Sequence, residues 1–172
     1  MFSIGLISII ILGYKLFTGM VGYAKTFADW ISIPIVIIGN FIGSALCIPF
    51  GRCDAAIALW ERKLDKPLWE VLWQSILCGM LVYVAVESYK QLSKSHNGGG
   101  EIVVALAVSG FIVAGGEHSI ADMCYMFAAN GLFTETLKSS AFLATVIVGN
   151  MIGARVMGCN WGVKYLNELY KN

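Results

Sequence analysis

The residues best placed for chemistry are Glu117, His118 and Ser119, a polar cluster in a hydrophobic part of the sequence. The 15 residues before them, 102–116, carry no charge, yet as a helix they rise only about 22 Å. The hydrocarbon core of a bilayer is about 30 Å thick, so the cluster should lie inside the membrane. Ionisable groups at that depth are costly and usually face a cavity or a partner. The sequence therefore predicts a functional site at His118, whose imidazole, with an ordinary pKa of about 6.5, could supply or relay a proton.

Composition predicts that the whole chain is embedded in a lipid bilayer. Of its 172 residues, 58% are hydrophobic and only 13% are charged, whereas soluble domains carry about 25% charged residues. A formal net charge of +1 provides no basic surface for nucleic acid. The five cysteines show neither CxxC nor metal-ligand spacing, and the sequence contains no nucleophile–base pair or cofactor motif. We therefore expect an integral multi-pass protein of the plasma (inner) membrane that is not an enzyme and holds no metal or cofactor.

Two kinds of hydrophobic segment alternate along the chain. Residues 31–50, 67–86 and 142–163 are long and apolar enough to cross a bilayer as continuous helices. Two other segments are interrupted by polar residues, one at 14–18 and one at 117–119. Interrupted backbone at membrane depth persists only where protein or a water-filled cavity satisfies its polar groups. Each interrupted segment is therefore predicted to be a half-helix, a loop and a second half-helix.

The connecting segments are more polar. Residues 51–66 predict a loop, with an amphipathic stretch at 54–66 that favours a surface helix. Residues 87–101 predict a flexible link that ends in three glycines, and residues 164–172 predict a short amphipathic tail.

An internal repeat relates the two halves of the chain. The hexamers GNFIGS at 39–44 and GNMIGA at 149–154 lie 110 residues apart, and each follows an interrupted segment. Small residues four apart are common in membrane helices, but paired interrupted segments in corresponding positions indicate a transport site. We therefore predict an all-α membrane protein, a single transmembrane domain over the whole chain, built as an inverted repeat whose halves are 1–50 and 67–163.

The repeat also predicts a helix that this sequence does not contain. Displacing the helix at 67–86 by the same 110 residues places its counterpart before Met1. The first half would then lack its first helix and the start of its broken helix.

Five motifs, in this order, resemble those of the formate/nitrite transporter family. They are LFT at 16–18, GNFIG at 39–43, ILC at 76–78, EHS at 117–119 and GNMIG at 149–153. Members of that family are pentameric channels for small monovalent anions, with an aquaporin-like fold and six membrane helices. The resemblance implies an aquaporin-like inverted repeat with two broken helices, a homopentamer, and a first helix preceding this sequence.

The resemblance also implies roles for particular side chains. His118 corresponds to the family's central histidine and Thr18 to the polar residue that faces it, so together they would form the central polar site of a substrate pore. Lys63 corresponds to a lysine thought to attract anions into the vestibule. The apolar residues of the two constrictions would be Phe2, Leu6, Leu16, Phe17 and Phe111.

Simpler interpretations remain for several of these residues. His118 alone could be a structural histidine satisfied by hydrogen bonds, and Lys63, beside Glu61 and Asp65, could be a solvated charge. Glu117 is expected to hold the loop backbone, because a free carboxylate would repel an anion.

Three positions depart from the family pattern. Gly79 stands where the family usually has Asn, Lys15 where it has Asp or Glu, and Asp122 where it has Asn. Asp122 could pair with neighbouring backbone or with Lys15. These differences leave open the choice among formate, nitrite, hydrosulfide and lactate.

The physical problem for such a pore is to move a small anion through apolar constrictions. Because an isolated charge is costly to bury, the anion should cross as a neutral species or closely paired with a proton, by way of His118. The sequence therefore predicts a channel or transporter for small monovalent anions and protons. One alternative is a channel for a neutral solute, although the Asn-Pro-Ala turns of aquaporins do not occur here. The other is a non-conducting structural subunit or truncated homologue, which the missing helix, Gly79 and Lys15 favour.

Overall fold

The computed structural model describes residues 2–46, 54–94 and 99–159, in which every regular element is helical. The absence of strands from these ranges confirms the predicted all-α class. The helices, numbered in chain order, are α1 (Phe2–Leu12), α2 (Phe17–Met20), α3 (Phe27–Ala45), α4 (Asp54–Leu64), α5 (Leu68–Lys94), α6 (Gly100–Val113), α7 (Ser119–Ala128), α8 (Gly131–Thr134) and α9 (Thr136–Gly158), with a short 3-10 helix (Val21–Tyr23) after α2.

Three of the described helices, α3, α5 and α9, are long and apolar enough to cross a membrane. The first interrupted segment forms α1 and α2, which are bent by 59° at their break and together have the length and composition of a fourth span. Helix α6 is apolar but has only 14 residues, and the chain breaks before it continues as α7. Both predicted interruptions are therefore present as broken helices. The predicted tail, 164–172, lies outside the described residues.

The structure corrects the predicted ends of three elements. Helix α9 begins at Thr136, six residues before the predicted start of its span at Phe142. Helix α3 begins at Phe27, earlier than its hydrophobic segment, because Thr26 and Asp29 form a capping box. Helix α5 continues to Lys94, past the start of the flexible link that the polar composition predicts. No glycine or proline follows Gly79 within this helix, so the backbone has no reason to leave the helical conformation where the side chains become polar.

Helix α4 lies where the amphipathic stretch predicts a helix, with one face packed on the core and the other exposed. Its inward face carries Ala56 and Trp60, four residues apart, and Trp60 is only 2% exposed. The indole packs edge-to-face against Phe142 of α9, with ring centroids 5.3 Å apart. Gly131 leaves room for the indole, since a Cβ at this position would overlap it. The amphipathic pattern thus belongs to a helix whose apolar face is covered by the second half of the chain.

Helices α5 and α9 pack directly on each other at the glycines of the second hexamer. A Cβ at Gly149 would overlap the side chain of Ser75, and one at Gly153 would overlap the carbonyl oxygen of Ile76. Small residues of this kind allow membrane helices to approach closely. At Gly39, in the first hexamer, an added Cβ would meet no described atom within 4 Å. The two hexamers have similar sequences. Within the described residues, the glycines of the second hexamer bring two helices together, whereas Gly39 of the first does not.

Candidate functional site

The two broken helices are built on the same plan. Gly13 follows α1 with a φ of 69°, and Gly115 follows the end of α6 with a φ of 71°. This left-handed conformation favours glycine and commonly ends a helix. The backbone then becomes extended at Leu16 and His118, the residues that precede α2 and α7. Each loop therefore ends at the start of a second half-helix.

Asn40 and Asn150, the second residues of the two hexamers, anchor these half-helix starts. Asn40 Oδ1 accepts a hydrogen bond from the backbone nitrogen of Phe17 at 3.1 Å, and Asn150 Oδ1 accepts one from that of Ser119 at 2.9 Å. Phe17 and Ser119 are the first residues of α2 and α7, whose N–H groups have no partner within their own helices. Sequence reasoning used the hexamers only as signs of a repeat and missed this role. The signal was the same Asn recurring after each interrupted segment.

Asn150 also holds the loop that precedes α7. Its side chain is fully buried, and Nδ2 donates to the carbonyl oxygens of Glu117 and Ser75, at 2.9 and 2.8 Å. The loop carrying Glu117 is therefore tied through one side chain to both α5 and α9. This places the next residue, His118, on a rigid support.

Thr18 and His118 form a buried polar contact between the two broken helices. Thr18 Oγ1 lies 3.2 Å from His118 Nε2, and the two residues are 0% and 2% exposed. His118 Nδ1 accepts from the backbone nitrogen of Ala121 at 3.4 Å. A ring nitrogen that accepts a hydrogen bond is unprotonated, so the neutral imidazole carries its proton on Nε2. His118 therefore presents an N–H donor to Thr18, and Phe111 stacks on its ring with centroids 5.9 Å apart.

Two cavities approach this contact from different directions. The larger has a volume of about 480 Å³ and is bordered by Phe111, His118 and part of α4. The smaller has a volume of about 280 Å³ and is bordered by Leu6 and Leu16. His118 is thus open to the larger cavity, while the smaller cavity ends at apolar side chains.

The cavities lie toward opposite ends of α5. Lys66, just before this helix, borders the larger cavity, and Lys90, near its C-terminal end, borders the smaller. From Leu68 to Lys90 the helix rises roughly 33 Å, comparable with the thickness of a hydrocarbon core. A path joining the cavities would therefore cross the membrane.

A buried apolar cluster, the apolar barrier, borders both cavities. Leu6, Leu16 and Phe111 belong to one buried hydrophobic cluster, and members of that cluster border each cavity. Phe17, expected at the same constriction, is fully buried in a different cluster and borders neither of these two cavities. The side chain of Phe2 lies outside the described residues.

Lys63 belongs to a buried group of four charges, the four-charge cluster of Lys63, Lys66, Glu117 and Asp122. Lys63 Nζ contacts the Glu117 carboxylate and lies 2.9 Å from Asp122 Oδ1, and Lys66 Nζ lies 2.7 Å from Glu117 Oε1. The carboxylates are 0% and 1% exposed. Burial alone would lower the pKa of Lys63, but the carboxylates of Asp122 and Glu117 outweigh burial and hold that pKa above its ordinary value of 10.5. The ammonium group therefore stays charged at neutral pH.

The four-charge cluster revises two expectations and adds one residue. The sequence predicts that Glu117 holds the loop backbone, but its carboxylate pairs with Lys63 and Lys66 of the preceding connection. Asp122 pairs with Lys63 rather than with Lys15. Sequence reasoning missed Lys66, although its spacing of three residues from Lys63 was a signal that both face the same way.

The family departures at Gly79 and Lys15 differ in their surroundings. A Cβ at Gly79 would overlap the backbone oxygen of Asn150, so glycine is what allows α9 to lie this close to α5. Lys15 is exposed and borders the smaller cavity. The first departure has a packing reason, whereas the second places a positive charge at the cavity mouth.

Two broken helices that meet at a buried polar pair, with a cavity toward each end of a spanning helix, define the class of helical membrane transport proteins. A sequence model of the formate/nitrite transporter family matches residues 1–162, and the chain belongs to this family. It is an integral, multi-pass membrane protein.

Individual relatives agree with this assignment. The chain is 29% identical to the "Formate channel FocA" of Haemophilus influenzae over 174 residues, covering 87% of this chain and 58% of that protein. It is 28% identical to the "Uncharacterized transporter YrhG" of Bacillus subtilis over 178 residues, covering 90% of this chain and 65% of that protein. The chain therefore spans less than two thirds of the length of these curated relatives.

A solved structure described as a pentameric formate channel with formate bound shares the fold of this chain. The two superpose with a TM-score of 0.68 at 22% sequence identity, over 99% of this chain and 81% of that one. This match confirms the predicted fold class.

Proposed function

We propose that this protein forms a homopentameric channel in the plasma membrane that carries small monovalent anions, such as formate, nitrite or hydrosulfide, as their neutral acids. The observation that carries the proposal is the buried Thr18–His118 contact, whose histidine borders the larger cavity, together with the apolar cluster that borders both cavities. The name of the FocA relative and the formate-bound pentamer of similar fold support the substrate class and the assembly.

The apolar barrier argues for passage in a neutral form. Leu6, Leu16 and Phe111 offer no polar atom to an anion, and transferring an isolated carboxylate into such surroundings is prohibitive. A protonated acid loses far less hydration. The permeating species therefore takes up a proton before the barrier and releases it in the opposite cavity.

His118 acts on the permeating acid as a hydrogen-bond donor through Nε2–H. A molecule that takes the place of Thr18 at Nε2 meets this donor, at the border of the larger cavity. Proton transfer from His118 requires the imidazolium form, in which Nδ1 also carries a proton. Forming it requires Nδ1 to release its contact with Ala121. The resting geometry favours donation of a hydrogen bond, and the imidazolium arises only when that contact opens.

Uptake of labelled formate into liposomes tests this function. Proteoliposomes should accumulate formate faster than protein-free liposomes, and the rate should rise as the external pH is lowered, because more of the acid is neutral. Glycerol uptake serves as the control for a neutral-solute channel. Glycerol flux without formate flux would contradict the proposal, and stable oligomers with no flux of either solute would favour a non-conducting subunit.

A further inference from the structure

We propose that Arg62 is the residue that attracts anions into the larger cavity. This inference rests on the proposed anion channel and assigns the source of its electrostatic field. Arg62 borders that cavity and is exposed, and within the described residues it makes no ion pair or hydrogen bond. Its guanidinium is therefore available to an incoming anion.

The other charges that border the larger cavity offset one another. The two ammonium groups of the four-charge cluster lie against the carboxylates of Glu117 and Asp122. The side chain of Lys63 is only 12% exposed. Because the two positive and two negative charges of the four-charge cluster cancel, the charge of Arg62 is the net charge on the wall of this cavity. The four-charge cluster holds α4 against α7, and Arg62 supplies the electrostatic field.

Helix α4 keeps its acidic residues away from this cavity. Leu59 and Arg62 of α4 border the larger cavity and are three residues apart, which places them on one helical face. Glu61 and Asp65 border a separate groove of about 320 Å³ on the other face, where Lys138 also lies. The carboxylates nearest to Arg62 in sequence are therefore directed away from the cavity that it borders.

The chemistry of Arg62 fits small planar oxyanions. A guanidinium donates two parallel hydrogen bonds to a carboxylate-like pair of oxygens, which a lysine ammonium cannot do. A single charge acting through water over about 7 Å changes the local concentration of a monovalent ion about threefold. We expect an effect of this size on anion capture rather than on the crossing of the barrier.

A cysteine reporter measures the field of Arg62 without relying on transport. Leu59→Cys places a thiol on the same face of α4, in a background in which all five native cysteines are replaced by alanine. Methanethiosulfonate reagents carrying a sulfonate or a trimethylammonium group then modify it at rates set by the local potential. Arg62→Gln should lower the ratio of anionic to cationic rates about tenfold, because both rates change about threefold in opposite directions. Arg62→Lys should preserve the ratio, as should Lys138→Gln, which removes an equal charge from the outer groove.

Formate uptake by the same variants gives the second measurement. Arg62→Gln should raise the half-saturating concentration about threefold at low ionic strength with little change in maximal rate, and the difference should vanish in about 1 M salt, where charges are screened within about 3 Å. An unchanged reagent ratio in Arg62→Gln, or an equal fall in Lys138→Gln, would overturn the assignment while leaving wild-type transport intact. A lowered ratio in a protein that carries no formate would instead refute the proposed function and leave the field of Arg62 established.

Discussion

Asn150 Oδ1 accepts a hydrogen bond from the backbone nitrogen of Ser119 at 2.9 Å, and this contact holds the first residue of α7 beside His118. Asn40 makes the corresponding contact with Phe17 at 3.1 Å, at the start of α2. An asparagine in each hexamer therefore supports the half-helix that carries one member of the Thr18–His118 pair. The repeated hexamer has a physical purpose: its asparagine accepts the N–H that a membrane-embedded half-helix cannot satisfy itself.

Replacing Asn150 by alanine should destabilise the protein more than replacing Asn40. Asn150 makes three buried hydrogen bonds, two of them to carbonyl oxygens of Glu117 and Ser75, whereas Asn40 makes one partly buried bond. Leaving buried partners unsatisfied costs about 1–3 kcal/mol each. We expect a clear fall in the thermal unfolding midpoint in detergent for Asn150→Ala and a smaller one for Asn40→Ala. Midpoints equal to that of the wild type in both variants would show that the hexamer asparagines do not anchor the broken helices.

The hydroxyl of Thr18 should matter for transport. Thr18→Val keeps the shape of the side chain but removes the group that faces His118 Nε2, whereas Thr18→Ser keeps the hydroxyl. Loss of one such hydrogen bond is worth about 1.4 kcal/mol, or roughly tenfold in rate. Formate uptake should therefore fall about tenfold for Thr18→Val and remain close to wild type for Thr18→Ser. Similar rates in the two variants would argue that the hydroxyl is not needed for transport.

Substitution of His118 separates its two possible roles. His118→Asn retains a hydrogen-bond donor but cannot form a cation, whereas His118→Ala loses both properties. If donation of a hydrogen bond is the main role, His118→Asn should keep most of the flux and His118→Ala should lose it, with flux still rising at low pH in the asparagine variant. Unchanged flux and pH dependence in both variants would remove His118 from the mechanism.

Removing Lys63 should strongly destabilise the protein. Lys63→Met would leave Glu117 paired with Lys66 and Asp122 buried without its cation, and breaking a buried ion pair costs about 3–5 kcal/mol. Adding Asp122→Asn should recover part of this loss, since the double variant again has equal numbers of opposite charges. Thermal unfolding of the two single variants and the double variant measures the coupling, and strictly additive effects would disprove it.

The stabilisation from Lys63 should not be lost as the pH rises through neutrality. Because folding raises the pKa of Lys63 above its ordinary value of 10.5, its contribution is fully present below that value and is lost only as the pH rises through the folded pKa. The difference in unfolding midpoint between the wild type and Lys63→Met should not shrink as the pH rises from about 6 to about 9, because Lys63 keeps its proton throughout this range. A difference that shrinks within this window would mean that Lys63 does not keep its proton when folded.

The glycines of the two hexamers should respond differently to an added methyl group. Gly153→Ala would force α9 away from the Ile76 carbonyl of α5, whereas Gly39→Ala adds a methyl group that meets no described atom. Overpacking of this kind typically costs about 1–3 kcal/mol. Unfolding in detergent should show a lowered midpoint for Gly153→Ala and a nearly unchanged one for Gly39→Ala, and the reverse order would contradict the α5–α9 packing.

Sequence patterns predicted which segments form helices better than they predicted which helices contact each other in the fold. Hydrophobic length predicted the spans, and the family resemblance pointed to Thr18 as a partner for His118, which the structure places 3.2 Å away. The same patterns predicted the amphipathic helix α4 but not its neighbours, because periodicity shows that a helix has an apolar face and not what covers it. Trp60 shows the consequence, since only the folded chain brings Phe142 and Gly131 around it.

The sequence by itself determined what depends on composition and local order along the chain. Apolar length requires helices that cross a bilayer, and glycines at 13 and 115 allow the breaks. The tertiary structure decided which charged side chains form ion pairs and which face a cavity. Lys63 and Arg62 are adjacent and carry the same charge, yet only the fold brings two carboxylates from α7 and its preceding loop to Lys63. Pairing between charges distant in sequence depends on helix packing, which no local pattern records.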